Sequence, residues 1–202
     1  MQPTVFRVSI SRWIGDGWNL LLKDIGTFAL IGLFSFVFLH FPFLAGPIWT
    51  AMAYAAVQFL ERGRVTLNDY FHGYRYFLPA FLASVVIAIF ATIGLIFLII
   101  PGLVILAMYQ FTFIFICQNE QDFWEAMRSS RRVVSQDSFG FTMFMLVLVL
   151  INVLGALFFY VGLVFTLPLT ANALVIAHRE IQGSSNAALT PAPLPTRPII
   201  IE

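Results

Sequence analysis

Residues 77–117 read FLPAFLASVVIAIFATIGLIFLIIPGLVILAMYQFTFIFIC and contain no charged side chain. This stretch is about twice as long as the ~20 apolar residues that one helix needs to cross a bilayer. Pro101 and Gly102 interrupt it, and the pair favours a break because proline removes a backbone donor and glycine tolerates turn geometry. The stretch therefore predicts two membrane helices, at about 78–98 and 102–117, joined by a tight, uncharged turn.

The composition of the chain is typical of a membrane protein. Of its 202 residues, 60% are hydrophobic, 23 are phenylalanine and only 10% are charged, whereas soluble domains carry about 25% charged residues. The net charge of +1 gives no support for nucleic acid as a partner. The single Cys117 excludes an intramolecular disulfide and a cysteine-based metal cluster.

Two further charge-free runs, 25–60 and 139–177, have the same character. The first run has two possible break points, His40 to Pro42 and Gly46 to Pro47, and Pro168 should kink the last helix or move its turn later. Each run is long enough for two spans. The sequence thus predicts an all-α, polytopic membrane protein with six transmembrane helices in three hairpins, the other four helices lying at about 25–40, 44–60, 139–159 and 162–178.

A short amphipathic segment precedes each hairpin. The three segments begin near Arg12, Leu67 and Asp122, at equal intervals along the chain. Their apolar faces are typical of interfacial helices, and Trp13 and Trp18 suit the headgroup level of a membrane. The spacing suggests a threefold internal repeat. Chance similarity between hydrophobic hairpins is the alternative, and a superposition of the three units would separate the two.

Local signals set the boundaries of the chain's regions. Thr66 and Asp69 resemble a capping box, with Asp in place of the usual Glu or Gln. Residues 1–24 are predicted to be a cytoplasmic N-terminus with an interfacial helix, and residues 25–180 the transmembrane domain. Residues 181–202 are rich in Ser, Ala and Pro without an apolar period, which predicts a disordered cytoplasmic tail.

The distribution of basic residues predicts the topology. None of them lies in the predicted turns of the hairpins, and basic segments stay in the cytoplasm. Both termini are therefore expected on the cytoplasmic side of the bacterial inner membrane. Three wedge hairpins that enter one leaflet are the alternative that the uncharged turns permit. The basic residues are Arg7, Arg12, Lys23, Arg62, Arg64, Arg75, Arg128, Arg131, Arg132, Arg179 and Arg197.

Polar side chains within the predicted spans are few and uncharged. Gln110, Asn152 and Asn172 are the candidates, and each can hydrogen-bond across helices, typically worth ~0.6 kcal/mol. They either join helices or contact a substrate. The chain has no nucleophile elbow, no zinc-protease motif and no phosphate-binding glycine loop. We therefore expect no catalytic residue, no cofactor, no metal site and no enzymatic activity.

The densest basic cluster is formed by Arg128, Arg131 and Arg132, which follow Trp124. Basic side chains beside apolar anchors bind anionic lipid headgroups, at about 1 kcal/mol per charge. The cluster is a candidate anionic-lipid contact. An ordinary basic loop that sets the orientation of the chain is the alternative.

Three stretches carry a resemblance: IGLIFLIIPGLVILAMYQF, FWEAMRSSRRVV and GLVFTLPLTANALVIAHRE. Over about residues 20–180 the chain resembles an uncharacterised bacterial family of six-helix integral membrane proteins. That family is similar to the membrane domain that accompanies some glycerophosphodiester phosphodiesterases. The resemblance implies a shared membrane fold and brings no established activity. The most specific matching positions are Pro101 and Gly102, Trp124 to Ser130, and Gly162 to Pro168.

These observations favour a structural or accessory membrane protein that binds lipid, a larger membrane complex or a second copy of itself. The alternative is a transporter or lipid-translocating protein for a small or amphipathic substrate. Helix breaks at Pro47, Pro101 and Pro168 support the alternative, because broken helices build binding sites in transporters. A polar cavity lined by the intramembrane amides would favour it, and a fully packed apolar centre would oppose it.

Overall fold

The computed structural model describes residues 8–97, 99–119, 122–157 and 161–189. These residues are all-α and contain no strand. Two short 3₁₀ turns, Pro42–Leu44 and Gly73–Tyr76, separate some of the helices. The helices are α1 Ile10–Lys23, α2 Ile25–Phe38, α3 Ala45–Arg62, α4 Leu67–His72, α5 Phe77–Phe97, α6 Ile99–Met108, α7 Thr112–Asn119, α8 Phe123–Val134, α9 Ser138–Leu157 and α10 Leu163–Leu189.

The helices follow one another as three units, each a short helix and then a hairpin. In the first unit α1 leads into α2 and α3, in the second α4 leads into α5 and α6–α7, and in the third α8 leads into α9 and α10. The rings of Phe28 and Phe59, 5.5 Å apart, join the arms of the first hairpin. A hydrogen bond of 2.7 Å from Asn152 to Thr170 joins the arms of the third. The sequence predicted this succession of short helices and hairpins, but the helix predicted at 102–117 is interrupted, because α6 ends at Met108 and α7 begins at Thr112.

Helices α3 and α10 form the centre of the bundle. Helix α10 contacts α1, α2, α3 and α9, and α3 also contacts α5 and α7. On α3 the buried positions are dominated by small residues, which let neighbouring helices approach closely. These are Ala51, Ala53, Ala55 and Ala56. Such small residues explain how α3 touches several neighbours at once.

Pro168 lies inside α10 and does not end it, so the turn of the third hairpin precedes it. A proline at this position leaves the carbonyl of Val164, four residues earlier, without its helical partner. Gly32 of α2 packs on that carbonyl, and a Cβ added at Gly32 would lie 1.8 Å from the Val164 oxygen. Only glycine therefore permits this contact between α2 and α10.

The two other prolines taken as helix breaks lie just inside helix starts. Pro47 is the third residue of α3, and Pro101 is the third residue of α6. The first turn of a helix has no internal partner for its N–H groups, so proline is tolerated there. Pro101 and Gly102 therefore lie inside α6, which begins at Ile99, and do not form the turn that the sequence predicted there.

The prediction of six membrane helices exceeds what helix length and composition support. Three described helices are long and apolar enough to cross a membrane, or four if the α1–α2 pair, bent by 105°, is a single broken span. Because the arms of the hairpins differ in length and polarity, they do not all meet the requirement. The three helices are Leu67–Gly94, Pro101–Gln118 and Ser138–Leu157.

Length and buried polarity account for the helices that do not qualify. Helix α2 has 14 residues, about 21 Å at ~1.5 Å per residue, against a hydrocarbon core of about 30 Å. Helix α3 carries Gln58, Glu61 and Arg62, and α10 carries Asn172 and His178. Both helices pack mainly against protein, where polar side chains are better tolerated than against lipid.

The three predicted interfacial helices have different environments. In α1, Trp13 is fully buried in the bundle and contacts protein and not lipid, while Trp18 is 44% exposed. Helix α4 is only six residues long and forms the start of the candidate span Leu67–Gly94. Helix α8 keeps the predicted amphipathic form, with Met127 and Val134 buried.

The C-terminal boundary also differs from the predicted one. The disordered tail was placed at 181–202, but α10 continues as a helix to Leu189. Parts of the predictions fall outside the described residues, namely those for 1–7, 98, 120–121, 158–160 and 190–202.

Candidate functional site

A cavity of about 440 Å³ lies between α9, α10 and the helices that face them. Most of its wall is apolar, and one lining residue, Val153, is 49% exposed on the outer surface. The cavity follows α9 from Met145 to Ala156. The lining residues are Leu39, Trp49, Ile87, Leu106, Tyr109, Gln110, Phe113, Met145, Leu148, Val149, Asn152, Val153, Ala156, Leu163, Leu167, Thr170 and Leu174.

A helix break forms part of the cavity wall. Helix α6 ends at Met108 and α7 begins at Thr112, so residues 109–111 turn between them. Tyr109 and Gln110 from this turn line the cavity. The ring of Tyr109 also stacks on Phe90 of α5 at 6.4 Å. The break thus places the amide side chain of Gln110 in a turn of the chain that faces the cavity.

The helix break leaves two backbone groups, the carbonyl of Met108 and the N–H of Phe111, without helical partners, and Ser130 of α8 bonds to both. Its hydroxyl donates to the carbonyl oxygen of Met108 at 2.8 Å and accepts from the N–H of Phe111 at 3.2 Å. Ser130 is fully buried. Buried backbone groups need such partners, because each one left unpaired costs about 1–3 kcal/mol. Sequence reasoning did not assign this role to Ser130, since no local pattern shows which backbone a serine will contact.

The side chain of Gln110 has no partner for either amide atom among the described residues, although it is only 7% exposed. Native proteins pair nearly all buried polar atoms with protein or ordered water. An unpaired amide against a cavity is therefore a place where a bound molecule would gain hydrogen bonds. Of the intramembrane candidates, Gln110 is the one whose environment best fits a ligand contact.

Asn152 is partly satisfied. Its amide nitrogen donates to the carbonyl of Leu148 at 2.8 Å and to the hydroxyl of Thr170 at 2.7 Å. The Thr170 hydroxyl donates in turn to the carbonyl of Thr166 at 2.8 Å. The remaining atom of the Asn152 amide, Oδ1, has no partner among the described residues. Asn152 thus joins α9 to α10, as the structural interpretation expected, and keeps one acceptor for the cavity.

Asn172, the third predicted polar residue, does not line the cavity. Its side chain is fully buried, and both of its amide atoms lack partners within the described part of the chain. The structure therefore brings Gln110 and Asn152 to one cavity and leaves Asn172 apart. Sequence position alone could not separate them, because all three lie in similar apolar surroundings.

None of the residues that line the cavity is Asp, Glu, Lys, Arg, His or Cys. Its polar side chains are those of Tyr109, Gln110, Asn152 and Thr170, together with the indole N–H of Trp49. Within the described residues, no group of three or more His, Cys, Asp or Glu side chains is placed to hold a metal ion. The arrangement can bind an apolar body and orient a neutral polar group, and it offers no acid–base pair.

A second polar region, the ionic cluster, consists of Arg12, Trp13, Glu61, Arg179 and Glu180. Glu180 pairs with Arg12 and accepts a hydrogen bond of 2.7 Å from the indole N–H of Trp13. Arg179 pairs with Glu61 at 3.3 Å. The cluster joins the start of α1 to the end of α3 and to the second half of α10. Sequence analysis placed Arg12 and Arg179 among the basic residues of the cytoplasmic side and did not predict their partners.

The predicted anionic-lipid contact lies on α8. Arg128, Arg131 and Arg132 are all exposed. The guanidinium of Arg128 lies 5.8 Å from the centre of the Trp124 ring, which is itself 45% exposed. The three arginines therefore share one helix with an exposed aromatic side chain, as an interfacial contact requires.

Comparison with known proteins adds no relative. No protein-family model matches the chain, and neither curated proteins nor solved structures give a match. The resemblance to the six-helix family stays a prediction. Any functional inference must therefore come from the cavity, the ionic cluster and the exposed arginines.

Proposed function

We propose that this protein is a non-enzymatic integral membrane protein that binds a lipid or lipid-like molecule inside its helical bundle. The observation that carries the proposal is the apolar cavity of about 440 Å³ with the unpaired amide of Gln110 in its wall. Small-molecule sites typically measure ~300–1,000 Å³ and combine apolar walls with a few polar groups. A membrane supplies molecules of that chemistry at high concentration.

The proposed location is the bacterial inner membrane, with both termini in the cytoplasm. The absence of charged residues from the hairpin turns supports it. The ionic cluster also supports it, because it gathers charged side chains of α1, α3 and α10 at one place.

Cysteine labelling tests this topology in a Cys117→Ser background. Ile96, which is 77% exposed near the second turn, would be changed to Cys, and Arg64, between the first two hairpins, would be changed to Cys in a matched variant. We expect an impermeant maleimide to label the Ile96→Cys variant in intact cells and the Arg64→Cys variant only after permeabilisation. Labelling of both variants only after permeabilisation would instead favour wedge hairpins.

Ligand binding is tested by gentle purification from the native membrane, followed by native mass spectrometry. We expect a lipid or lipid-like molecule to remain bound at fixed stoichiometry. The same spectra would detect a second protein or a second copy, which an accessory role would require.

A matched pair of substitutions on α9 assigns that molecule to the cavity. Ala156→Phe adds volume at a lining residue, whereas Leu154→Phe changes a residue that is 57% exposed and does not line the cavity. Ala156→Phe should lower the bound fraction, and Leu154→Phe should leave it unchanged. Equal retention by both variants, or no bound molecule in the unchanged protein, would contradict the proposal.

A second candidate function is movement of an amphipathic molecule across the membrane. The helix break at residues 109–111 supports it, because non-helical backbone at membrane depth is tolerated where it lines a cavity and is common at transporter sites. Proteoliposomes with a fluorescent lipid in both leaflets would test it. Translocation should let an external quencher reach more than half of the lipid, and a signal identical to that of protein-free liposomes would exclude it.

A further inference from the structure

We infer that the cavity selects an uncharged amphiphile whose head group carries a free hydroxyl, an inference that rests on the proposed function. The first reason is the charge of the wall. None of the lining residues is Asp, Glu, Lys, Arg or His. An ionised carboxylate, phosphate or ammonium placed there would lack a counter-charge, and burial of an unpaired charge is strongly disfavoured.

The second reason is the balance of unpaired donors and acceptors. Gln110 contributes both its amide NH₂ and its amide oxygen, and Asn152 contributes Oδ1. The orientation of the Asn152 amide follows from its neighbours, because its nitrogen donates to the carbonyl of Leu148 and its oxygen therefore points elsewhere. Two buried amide oxygens, Gln110 Oε1 and Asn152 Oδ1, are thus left without a donor. A ligand must donate as well as accept to satisfy this wall.

A hydroxyl meets this requirement, whereas several other lipid groups do not. It can accept from the Gln110 nitrogen and donate to the oxygen of Gln110 or Asn152. An ester, an ether or a ketone only accepts, and would leave both amide oxygens unpaired. The ligand class is therefore a neutral lipid with a free hydroxyl, such as a long-chain alcohol or a partially acylated glycerol.

The surface of α9 provides a path for the chain of such a lipid. Val153 lines the cavity and is 49% exposed, so the wall is partly open beside it. A chain that leaves at this position would enter the surrounding apolar phase without crossing the charged ends of the helices. The head would remain at Gln110 and Asn152, further inside.

Trp49 in the cavity wall is a natural reporter of binding. A Trp18→Phe, Trp124→Phe background removes the two exposed tryptophans and leaves Trp49 and the fully buried Trp13. The full-length protein in detergent micelles would be titrated with bromododecanol, whose heavy atom quenches nearby tryptophan. Quenching should be saturable, and it should disappear when Trp49 is also changed to Phe.

Head-group selectivity is measured by competition at a pH where dodecanoate is ionised. Dodecanol should displace the bromo probe at least about tenfold better than its methyl ether, dodecanoate or dodecyltrimethylammonium, because each of these lacks a donor or carries a charge. Gln110→Leu should weaken bromododecanol binding about tenfold and leave bromododecane binding unchanged. Retained bromododecane binding also shows that the variant is folded.

The outcomes separate this inference from the proposed function. Equal displacement by all four competitors, or tighter binding of dodecanoate, would overturn the hydroxyl selectivity while leaving a lipid-binding cavity. Absence of saturable quenching of Trp49 by both bromododecanol and bromododecane would overturn the proposed function as well.

Discussion

The cavity and the ionic cluster differ in whether their polar side chains have hydrogen-bond or ion-pair partners. In the cluster, Glu180 has Arg12 and Trp13 as partners and Arg179 has Glu61. At the cavity, the amide of Gln110 has no partner among the described residues, although its side chain is more deeply buried. Gln110 is thus less satisfied than the charged side chains of Arg12 and Glu180 although it is more buried than either of them, and stability alone would favour pairing it.

This difference separates structural polar groups from candidate binding groups. Two backbone groups beside Gln110 have a partner, because Ser130 bonds to both the Met108 carbonyl and the Phe111 N–H. A loosely packed site would be expected to leave such backbone groups and the side chain unpaired together. Here these two backbone groups are paired and the side chain is not, which points to a molecule that the cavity is built to receive. The predictions below test this contrast, in order of expected effect.

The largest effect is expected for Ser130→Ala. The change removes the hydroxyl that bonds to the Met108 carbonyl and the Phe111 N–H, and leaves two buried backbone groups unpaired. We expect the free energy of unfolding in detergent to fall by about 3 kcal/mol. Thermal or denaturant unfolding of the purified protein would measure it.

Ser129→Ala, one position earlier on α8 and outside these bonds, is the matched control. It should change the free energy of unfolding by less than about 0.5 kcal/mol. Equal stability of the Ser130→Ala and Ser129→Ala variants would show that the break does not depend on the serine, and would remove the contrast between backbone and side chain.

Glu180→Leu should have the next largest effect. It removes the acceptor at 2.7 Å from the indole N–H of the fully buried Trp13, together with the ion pair to Arg12. Because Arg12 is largely exposed, most of the loss comes from the indole, and we expect about 2 kcal/mol of destabilisation. Unfolding measured as for Ser130→Ala would test it.

A double-mutant cycle with Trp13→Phe isolates the contribution of the hydrogen bond. Glu180→Leu should destabilise the Trp13→Phe variant by less than it destabilises the unchanged protein, because the indole donor is already absent. Additive effects would mean that Glu180 stabilises the fold by some other contact.

The sequence was most informative where the signal is local. The capping box is present, with Thr66 N–H donating to Asp69 at 2.9 Å and Asp69 N–H donating to the Thr66 hydroxyl at 3.3 Å. The all-α class and the order of the hairpins also follow from runs of apolar residues. Turn positions were less certain, because Pro47 and Pro101 are compatible with helix starts as well as with breaks.

Tertiary contacts decided what the sequence left open. No local pattern marks His178 as buried, yet it is fully buried and its ring lies 4.6 Å from that of Phe115. Trp13 likewise has an amphipathic pattern that suits either a membrane surface or a protein core. Gln110, Asn152 and Asn172 were correctly selected as polar groups in apolar surroundings. Only the packing of helices distant in sequence shows which of them line a cavity.

Gln110→Leu should have the opposite sign to the first two changes. It replaces an unpaired buried amide by an apolar group, so the ligand-free protein should gain about 1 kcal/mol of stability. Thermal unfolding of the protein without added lipid would measure the change. Destabilisation comparable to that of Glu180→Leu would show that Gln110 has a structural partner and would break the contrast between the two regions.

Asn172→Val is the matched comparison for Gln110→Leu. Asn172 is also buried and unpaired among the described residues, but it does not line the cavity. Its replacement should raise stability by a similar amount and leave bromododecanol binding unchanged, whereas Gln110→Leu weakens binding. Loss of binding in both variants would mean that the amides act through the fold and not through contact with the ligand.

The smallest effect on stability is expected for the triple change of Arg128, Arg131 and Arg132 to Ala, because all three side chains are exposed. Lipid retention should change instead. At about 1 kcal/mol for each basic residue near an anionic surface, the preference for phosphatidylglycerol over phosphatidylcholine should fall at least about tenfold. Native mass spectrometry of protein released from mixed nanodiscs would measure that preference at low salt.

The control is the double change of Arg62 and Arg64 to Ala, because both arginines are exposed and lie outside α8. It should reduce the preference for phosphatidylglycerol less than the triple change does. An equal reduction would indicate a general effect of positive charge that sets orientation, whereas a selective one would make α8 an anionic-lipid contact separate from the neutral cavity.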